Sequence, residues 1–307
     1  MTQYIIRRLL QIIPITLGII TLIFSLIHLI PGDPAVQIAG EGARPQDIEN
    51  VRKALGLDQP LWKQYVSYLG GLARGDLGRS FRTGESVAEE IKVRYPATIQ
   101  LAMGAMFVAL LVAFPLGIVS AIYRNSWIDN VARFFALVGV SMPSFWFGPL
   151  LIIAFAINRT WFPVSGREEG LRSLVLPSLT MGLALAAILT RMIRVSLAEE
   201  LTQLYVTTAI AKGVTRAKAI FAHALKNALI PVITVLALQF GSLLTGAIIT
   251  EQIFSWPGLG RLLITSISSR DYPQVQASIL VIALTYIFVN FISDLMYGVV
   301  DPRIKLE

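Results

Sequence analysis

Residues Leu9–Ile30 read LLQIIPITLGIITLIFSLIHLI, twenty-two positions without one formally charged side chain. As a helix rising about 1.5 Å per residue, the run covers ~33 Å, enough to cross a ~30 Å hydrocarbon core. It is too long for the apolar stretch of a secretory leader and no small-x-small cleavage site follows, so a retained first membrane helix (9–30) is expected. Five more apolar runs follow at 97–123, 131–157, 171–193, 228–250 and 277–300. Composition agrees, since 55% of the 307 residues are hydrophobic and 15% charged, against about 25% charged in an ordinary globular domain. The expected fold is an all-α polytopic membrane protein of six transmembrane helices, forming one domain over 1–307.

An even number of spans puts both termini on one side, and Lys and Arg choose that side. Twelve basic residues fall on the termini side, among them Arg7, Arg8, Arg124, Arg133, Arg191, Arg194, Arg303 and Lys305. The two short opposite loops hold five: Arg159, Arg167, Arg172, Arg261 and Arg270. Both termini and the polar segment 205–227 are therefore expected in the cytoplasm of a multi-pass plasma (inner) membrane protein. The net charge of +7 reads as this bias, because no aromatic-basic interleaving or nucleic-acid motif accompanies it. With no cysteine in the chain, disulfides, thiolate metal sites and thiol catalysis are excluded.

Between the first two spans, 31–96 is too polar to cross and too patterned for disorder, with nine basic and nine acidic residues. It opens on PGDP, continues with a short helix over 44–57 and another over 60–72 carrying Trp62, Tyr65, Tyr68 and Leu69 on one face. Ser86 and Glu89 form a capping-box pattern that opens a third short helix ending near Tyr95. A small helical extracytoplasmic cap results. The third span is the most irregular, GVSMPSFWFGP over 139–149. It reads either as a kink relieved by Ser141 and Ser144 or as a break lining a pathway.

Catalysis finds little footing. There is no G-x-x-x-x-G-K-[ST] phosphate loop, no H-E-x-x-H and no G-x-S-x-G, and His28 and His223 are isolated. Asp294 is the one carboxylate clearly inside a span, near its cytoplasmic end, where bonding to Arg303, Arg7 or a neighbouring helix accounts for it. Glu251 sits at the outer end of the fifth span as an interfacial group or loop anchor. Gln239, Ser242 and Gly246 share a stripe of that span, with Gly241 and Thr245 beside it. Helix packing explains small residues there; a polar stripe on a translocation path is the sharper reading.

The stretch Tyr205–Pro231, YVTTAIAKGVTRAKAIFAHALKNALIP, is the one long basic amphipathic insert between two apolar spans. Ile210, Val214, Ala217 and Phe221 would line one face of a helix, with Lys212 and Arg216 pointing away. Such a surface presents itself to lipid headgroups or to another protein. Gly213 interrupts the helical pattern, where Gly costs about 1 kcal/mol relative to Ala, so a bend or a close backbone contact is expected there. Thr208, Ala209 and Ala211 keep the adjoining surface small, as docking into a groove requires.

AIAKG at 209–213 followed by HALKNALIP at 223–231 resembles the EAA loop of permease subunits in binding-protein-dependent ABC importers. Thr207, Thr208 and Ala209 stand at the EAA triplet and Gly213 at its glycine. The first two positions and the glycine-to-proline spacing depart from the general pattern in the manner of the dipeptide, oligopeptide, nickel and glutathione branch. PGDP at Pro31, LGLDQPLWKQY at Leu55, GDLGRS at Gly75, FSWPGLGRLL at Phe254, RDYP at Arg270 and DPRIK at Asp301 resemble its B-type subunit, in order and along nearly the whole chain.

The resemblance implies a heterodimer with a homologous C-type permease, two cytoplasmic ATPase subunits and an extracytoplasmic solute-binding protein, within membrane lipid and without nucleic acid. It implies no cofactor in this chain, ATP and magnesium being held by the ATPases, and hence no enzyme activity of its own. Thr207, Thr208, Ala209, Ala211, Lys212, Gly213, Arg216 and Phe221 would form the ATPase-coupling loop, a coupling helix between the fourth and fifth spans. Glu251, Trp256, Pro257 and Gly258 would form an outer gate or docking loop. Ser141, Ser144, Gln239 and Ser242 are candidate path-lining residues. Di- or oligopeptides are the expected solutes; a nickel chelate or glutathione is the alternative within the class. A stand-alone secondary transporter or channel is the alternative outside it, and would call for charged midplane sites and inverted repeats.

Overall fold

The computed structural model describes residues 2–29, 34–40, 42–54 and 56–300. Pro31–Asp33 of PGDP, Leu55 and the 301–307 stretch carrying DPRIK, Arg303 and Lys305 lie outside the described residues, as do the surroundings of Gly246. Among the described residues the fold is helical, with one isolated bridge between Arg79 and Ser86. Among the described residues, five helices are each long and apolar enough to cross a membrane, and a sharply bent pair makes up to six.

The first span is α1 (Thr2–Leu29). The cap follows as α2 (Pro34–Ala39), α3 (Pro45–Ala54) and α4 (Leu61–Ala73). Tyr65, Tyr68 and Leu69 of α4 pack on Ile19, Ile20 and Ile23 of α1, as their shared face predicts, and the Phe24 ring meets both tyrosines. Trp62 departs from that face and is exposed. Next, α5 (Val87–Ile122) runs unbroken for 36 residues. The third cap helix and the second span are thus one helix, and the boundary drawn at Pro96 falls inside it. A proline in a helix forfeits one i→i−4 bond, and the alanine-rich contacts of the following turns hold α5 together across that gap.

Those contacts are with α8 (Leu171–Glu200), the pair forming the centre of the bundle. Ala97, Leu101, Ala102, Ala105, Ala109 and Ala113 are fully buried against Met181, Leu185, Leu189 and Ile193. A methyl group at Gly182 would stand 2.6 Å from the Ala105 carbonyl oxygen, and one at Gly117 would stand 2.7 Å from Ile193 Cβ. Small residues let the two backbones close, which is how helices associate where lipid offers no hydrophobic drive.

The third span is broken. α6 (Trp127–Ser141) and α7 (Ser144–Leu151, continuing as a π turn over Ile152–Ile157) meet at 106° across Met142 and Pro143. Pro143 disfavours helical backbone at Met142, which has ψ 114°. A mild kink is thereby ruled out in favour of a true break. After α8 come α9 (Leu204–Ala211), α10 (Arg216–Lys218) with a π turn over Ala219–Ala224, and α11 (Leu225–Ile253). The chain closes with α12 (Leu259–Ser268) and α13 (Tyr272–Val300). Asp294 of α13 pairs with Arg8 of α1 at 3.1 Å, so the neighbouring-helix reading of that carboxylate holds.

Candidate functional site

The 205–227 segment is two short helices and a turn, not the single helix its Ile210–Val214–Ala217–Phe221 spacing suggested. Gly213 takes φ +88° with open space around its Cβ position. Its role is therefore the left-handed turn, not a close contact inside this chain. The Gly213 N–H bonds the Ile210 carbonyl at 2.9 Å and the Val214 N–H bonds that of Ala209 at 3.1 Å, closing α9 as left-handed C-caps do. Thr207 and Thr208 turn their hydroxyls back onto the Gln203 and Leu204 carbonyls. Leu204 (84% exposed), Ile210, Phe221, Lys212, Arg216 and the exposed Ala211 remain uncovered, with Ala209 half-buried.

This exposed tip stands on a firm base. Val206, Ala219, Ala224 and Ala228 pack with Leu197 and Ala198 of α8 and Ala121 of α5. The Tyr205 hydroxyl donates to Glu200 and accepts from Asn227 Nδ2 at 3.1 Å, tying the end of α8 to the start of α11. Burial, then the Glu200 carboxylate, pushes that phenol above its ordinary pKa. Ser196 Oγ adds a 2.8 Å bond to the Ala228 carbonyl.

Beside this base lies a constellation the sequence reading missed. Asp129 is fully buried and is held in a fork by Arg194, Nε to Oδ1 at 2.6 Å and Nη2 to Oδ2 at 2.7 Å. Ser120 Oγ and the Asn125 N–H complete its shell at 2.6 and 2.9 Å, and Arg133 stands at 3.5 Å. Arg194 and Arg133 look like orientation charges in the sequence. A lone Asp among them, three residues after Ser126, was the available signal.

At the opposite end, Phe254–Gly258 turns inward. Trp256 is fully buried and its Nε1 donates to the Ala97 carbonyl at 2.8 Å. Glu251 is fully buried too; it accepts from Thr98 Oγ1 at 2.7 Å and from the Arg261 N–H at 3.0 Å, while Thr98 Oγ1 accepts from the Leu259 N–H. Gly258 lies so close to the Glu251 carboxylate that a Cβ would collide with it; Pro257 is half-buried beside it. These residues tie the loop to α5 from within. Asp271 takes hydrogen bonds from Ser80 Oγ and the Phe81 N–H, joining GDLGRS to RDYP.

The path-lining candidates divide. Ser144, Gln239 and Ser242 line one cavity of about 200 Å³ with Thr180 and Ala184 of α8. Ser141 lies across the Met142–Pro143 break, exposed and outside it. Gly241 packs instead on Tyr286 of α13, where an added Cβ would stand 2.8 Å from the ring. Packing and polarity thus occupy different faces of α11.

A helical bundle with a small-residue centre, an exposed segment at one end and an infolded loop at the other is a membrane transport domain. The family described as binding-protein-dependent transport system inner membrane component matches residues 113–306, and its N-terminal companion matches residues 1–102. The chain belongs to this family, as an inner-membrane permease subunit of an ABC importer of the dipeptide and glutathione branch. It is 44% identical to the dipeptide transport system permease protein DppB of Alkalihalophilus pseudofirmus, over 99% of this chain and 100% of that one. It is 42% identical to the glutathione transport system permease protein GsiC of Escherichia coli K12, over 100% of both. Among solved structures, the MetNI methionine ABC transporter in inward-facing conformations matches with a TM-score of 0.59 at 15% identity, over 69% of this chain and 96% of that chain. That likeness shows a shared fold.

Proposed function

We propose that this chain forms half of the translocation path of an ATP-driven importer of di- or oligopeptides. It pairs with a homologous C-type permease, receives solute from an extracytoplasmic binding protein and is driven by two cytoplasmic ATPases. Both termini and 205–227 face the cytoplasm, where α9 and the turn at Gly213 dock in an ATPase groove. ATP and magnesium belong to those partners, and this chain catalyses nothing. The observation carrying the reading is the exposed, glycine-broken tip of 204–221 standing on a rigid base shared by α5, α8 and α11. Docking that differs between open and closed ATPases shifts the permease between outward and inward access.

Inactivating the partner ATPase while the proton gradient stays intact tests this directly. Uptake of a dipeptide by the reconstituted complex is expected to stop; continued uptake defeats the reading in favour of a secondary transporter. Glutathione is the second candidate solute, because the glutathione permease relative aligns end to end over 307 residues. Competition between glutathione and alanyl-alanine for the same complex separates the two.

A further inference from the structure

Ser144 of α7 and Gln239 and Ser242 of α11 reach one cavity from two elements, with α8 as its back wall. None of the three side chains has a hydrogen-bond partner among the described residues. Thr180, also on the wall, satisfies itself on the Leu176 carbonyl at 2.9 Å. Within the apolar layer an unsatisfied polar group costs several kcal/mol, and here three share one patch. Acyl chains cannot satisfy them, so this face meets water, a solute or the paired permease, and the labelling below separates the wet face from the paired one.

The chemistry of the lining narrows the solute. Its nine residues include no charged side chain, so an ammonium, a carboxylate or a bare cation entering it would shed water without meeting a counter-charge. Gln239 offers two donors and an acceptor, and each serine hydroxyl both donates and accepts. That set complements a neutral amide, which presents one N–H and one C=O. The cavity of about 200 Å³ has room for roughly six waters at ~30 Å³ each, or for one peptide unit in their place.

We infer that Ser144, Gln239 and Ser242 form a subsite on the path wall that binds the peptide-bond portion of the solute and leaves its charged ends in water. The inference rests on the peptide-importer reading above and deepens it. Hydrogen bonds without an ion pair hold weakly enough to release, as a site passed in transit requires.

The chain's lack of cysteine gives a clean test when labelling is read on this chain alone, within the complex reconstituted with its partner subunits. Single variants Ser144→Cys, Gln239→Cys and Ser242→Cys are exposed to a charged, water-soluble thiosulfonate, with Phe107→Cys, exposed on the apolar surface of α5, as control. Labelling at least ten-fold faster than the control is expected at all three. In parallel, Gln239→Leu with Ser242→Ala should lower alanyl-alanine import per ATP about ten-fold, with binding-protein affinity and complex assembly unchanged, and Gln239→Asn should recover part of it. Labelling no faster than at Phe107→Cys overturns the inference, and so does unchanged import by the Gln239→Leu, Ser242→Ala double variant. If the unsubstituted complex imports no peptide yet the three cysteines label, the peptide reading fails while the aqueous wall stands, and the amide assignment falls with the former.

Discussion

Gly213 decides the shape of the exposed tip with a single backbone angle. At φ +88° with nothing near its Cβ position, any L-residue fits sterically but pays roughly 1–2 kcal/mol for the left-handed conformation. Gly213→Ala should therefore reposition α9 against α10, raising ATPase activity not matched by transport, while membrane insertion stays intact. Gly213→Asn, which tolerates that region, should recover most of the coupling; equal transport-to-ATP ratios in Gly213→Ala and the unsubstituted protein would remove the turn from the mechanism. Asp129 decides a second feature. Its fork with Arg194 is buried and fully bonded, so Asp129→Asn strands a guanidinium and should cost about 3 kcal/mol. A thermal melt of the purified complex reads that loss, and Arg194→Lys should fail to preserve the native value because an ammonium cannot make the two parallel bonds.

Elements divide into those that local pattern specifies and those that only packing reveals. The spans were legible because apolar length has one physical meaning in a membrane chain, and α3 and α4 of the cap because their turn residues and shared faces agree. The continuity of α5 through Pro96 was not, since the α8 contacts that outweigh a lost hydrogen bond lie some eighty residues away in sequence. Nor was the 106° break, because MPS reads alike for a kink and a corner. Among site residues, the turn at Gly213 was visible as a glycine inside a helical period, while the Asp129–Arg194 fork needed the start of α6 brought to the end of α8. The infolded 254–258 loop hid the clearest consequence, a fully buried carboxylate, Glu251, at the outer end of the fifth span, bonded to Thr98 Oγ1 and the Arg261 N–H.

At the scale of the whole molecule, α8 links the two ends. Its last turns carry Arg194, Ser196 and Glu200, which grip Asp129 at the start of α6, α11 and Tyr205. Its middle holds Thr180 and Ala184 at the polar cavity, and its packing on α5 is the densest in the bundle, so a push at one end is not absorbed within it. Tyr205 is the narrowest point of this route, because its single hydroxyl joins Glu200 of α8 to Asn227 at the foot of α11. Tyr205→Phe keeps the ring and its packing and deletes only those two bonds, each worth about 1 kcal/mol or slightly more where a carboxylate takes part. If the exposed tip drives the path through this strut, ATP hydrolysis should continue at its native rate while solute moved per ATP drops roughly five- to ten-fold, a loss equivalent to ~1–1.4 kcal/mol of coupling. The same substitution should lower the melting temperature by only a few degrees, since Ser196 and the buried alanines still hold the base together. Measuring transport and hydrolysis on one preparation decides the matter: if both fall in proportion, Tyr205 serves assembly of the base, and force reaches α8 by its apolar contacts alone.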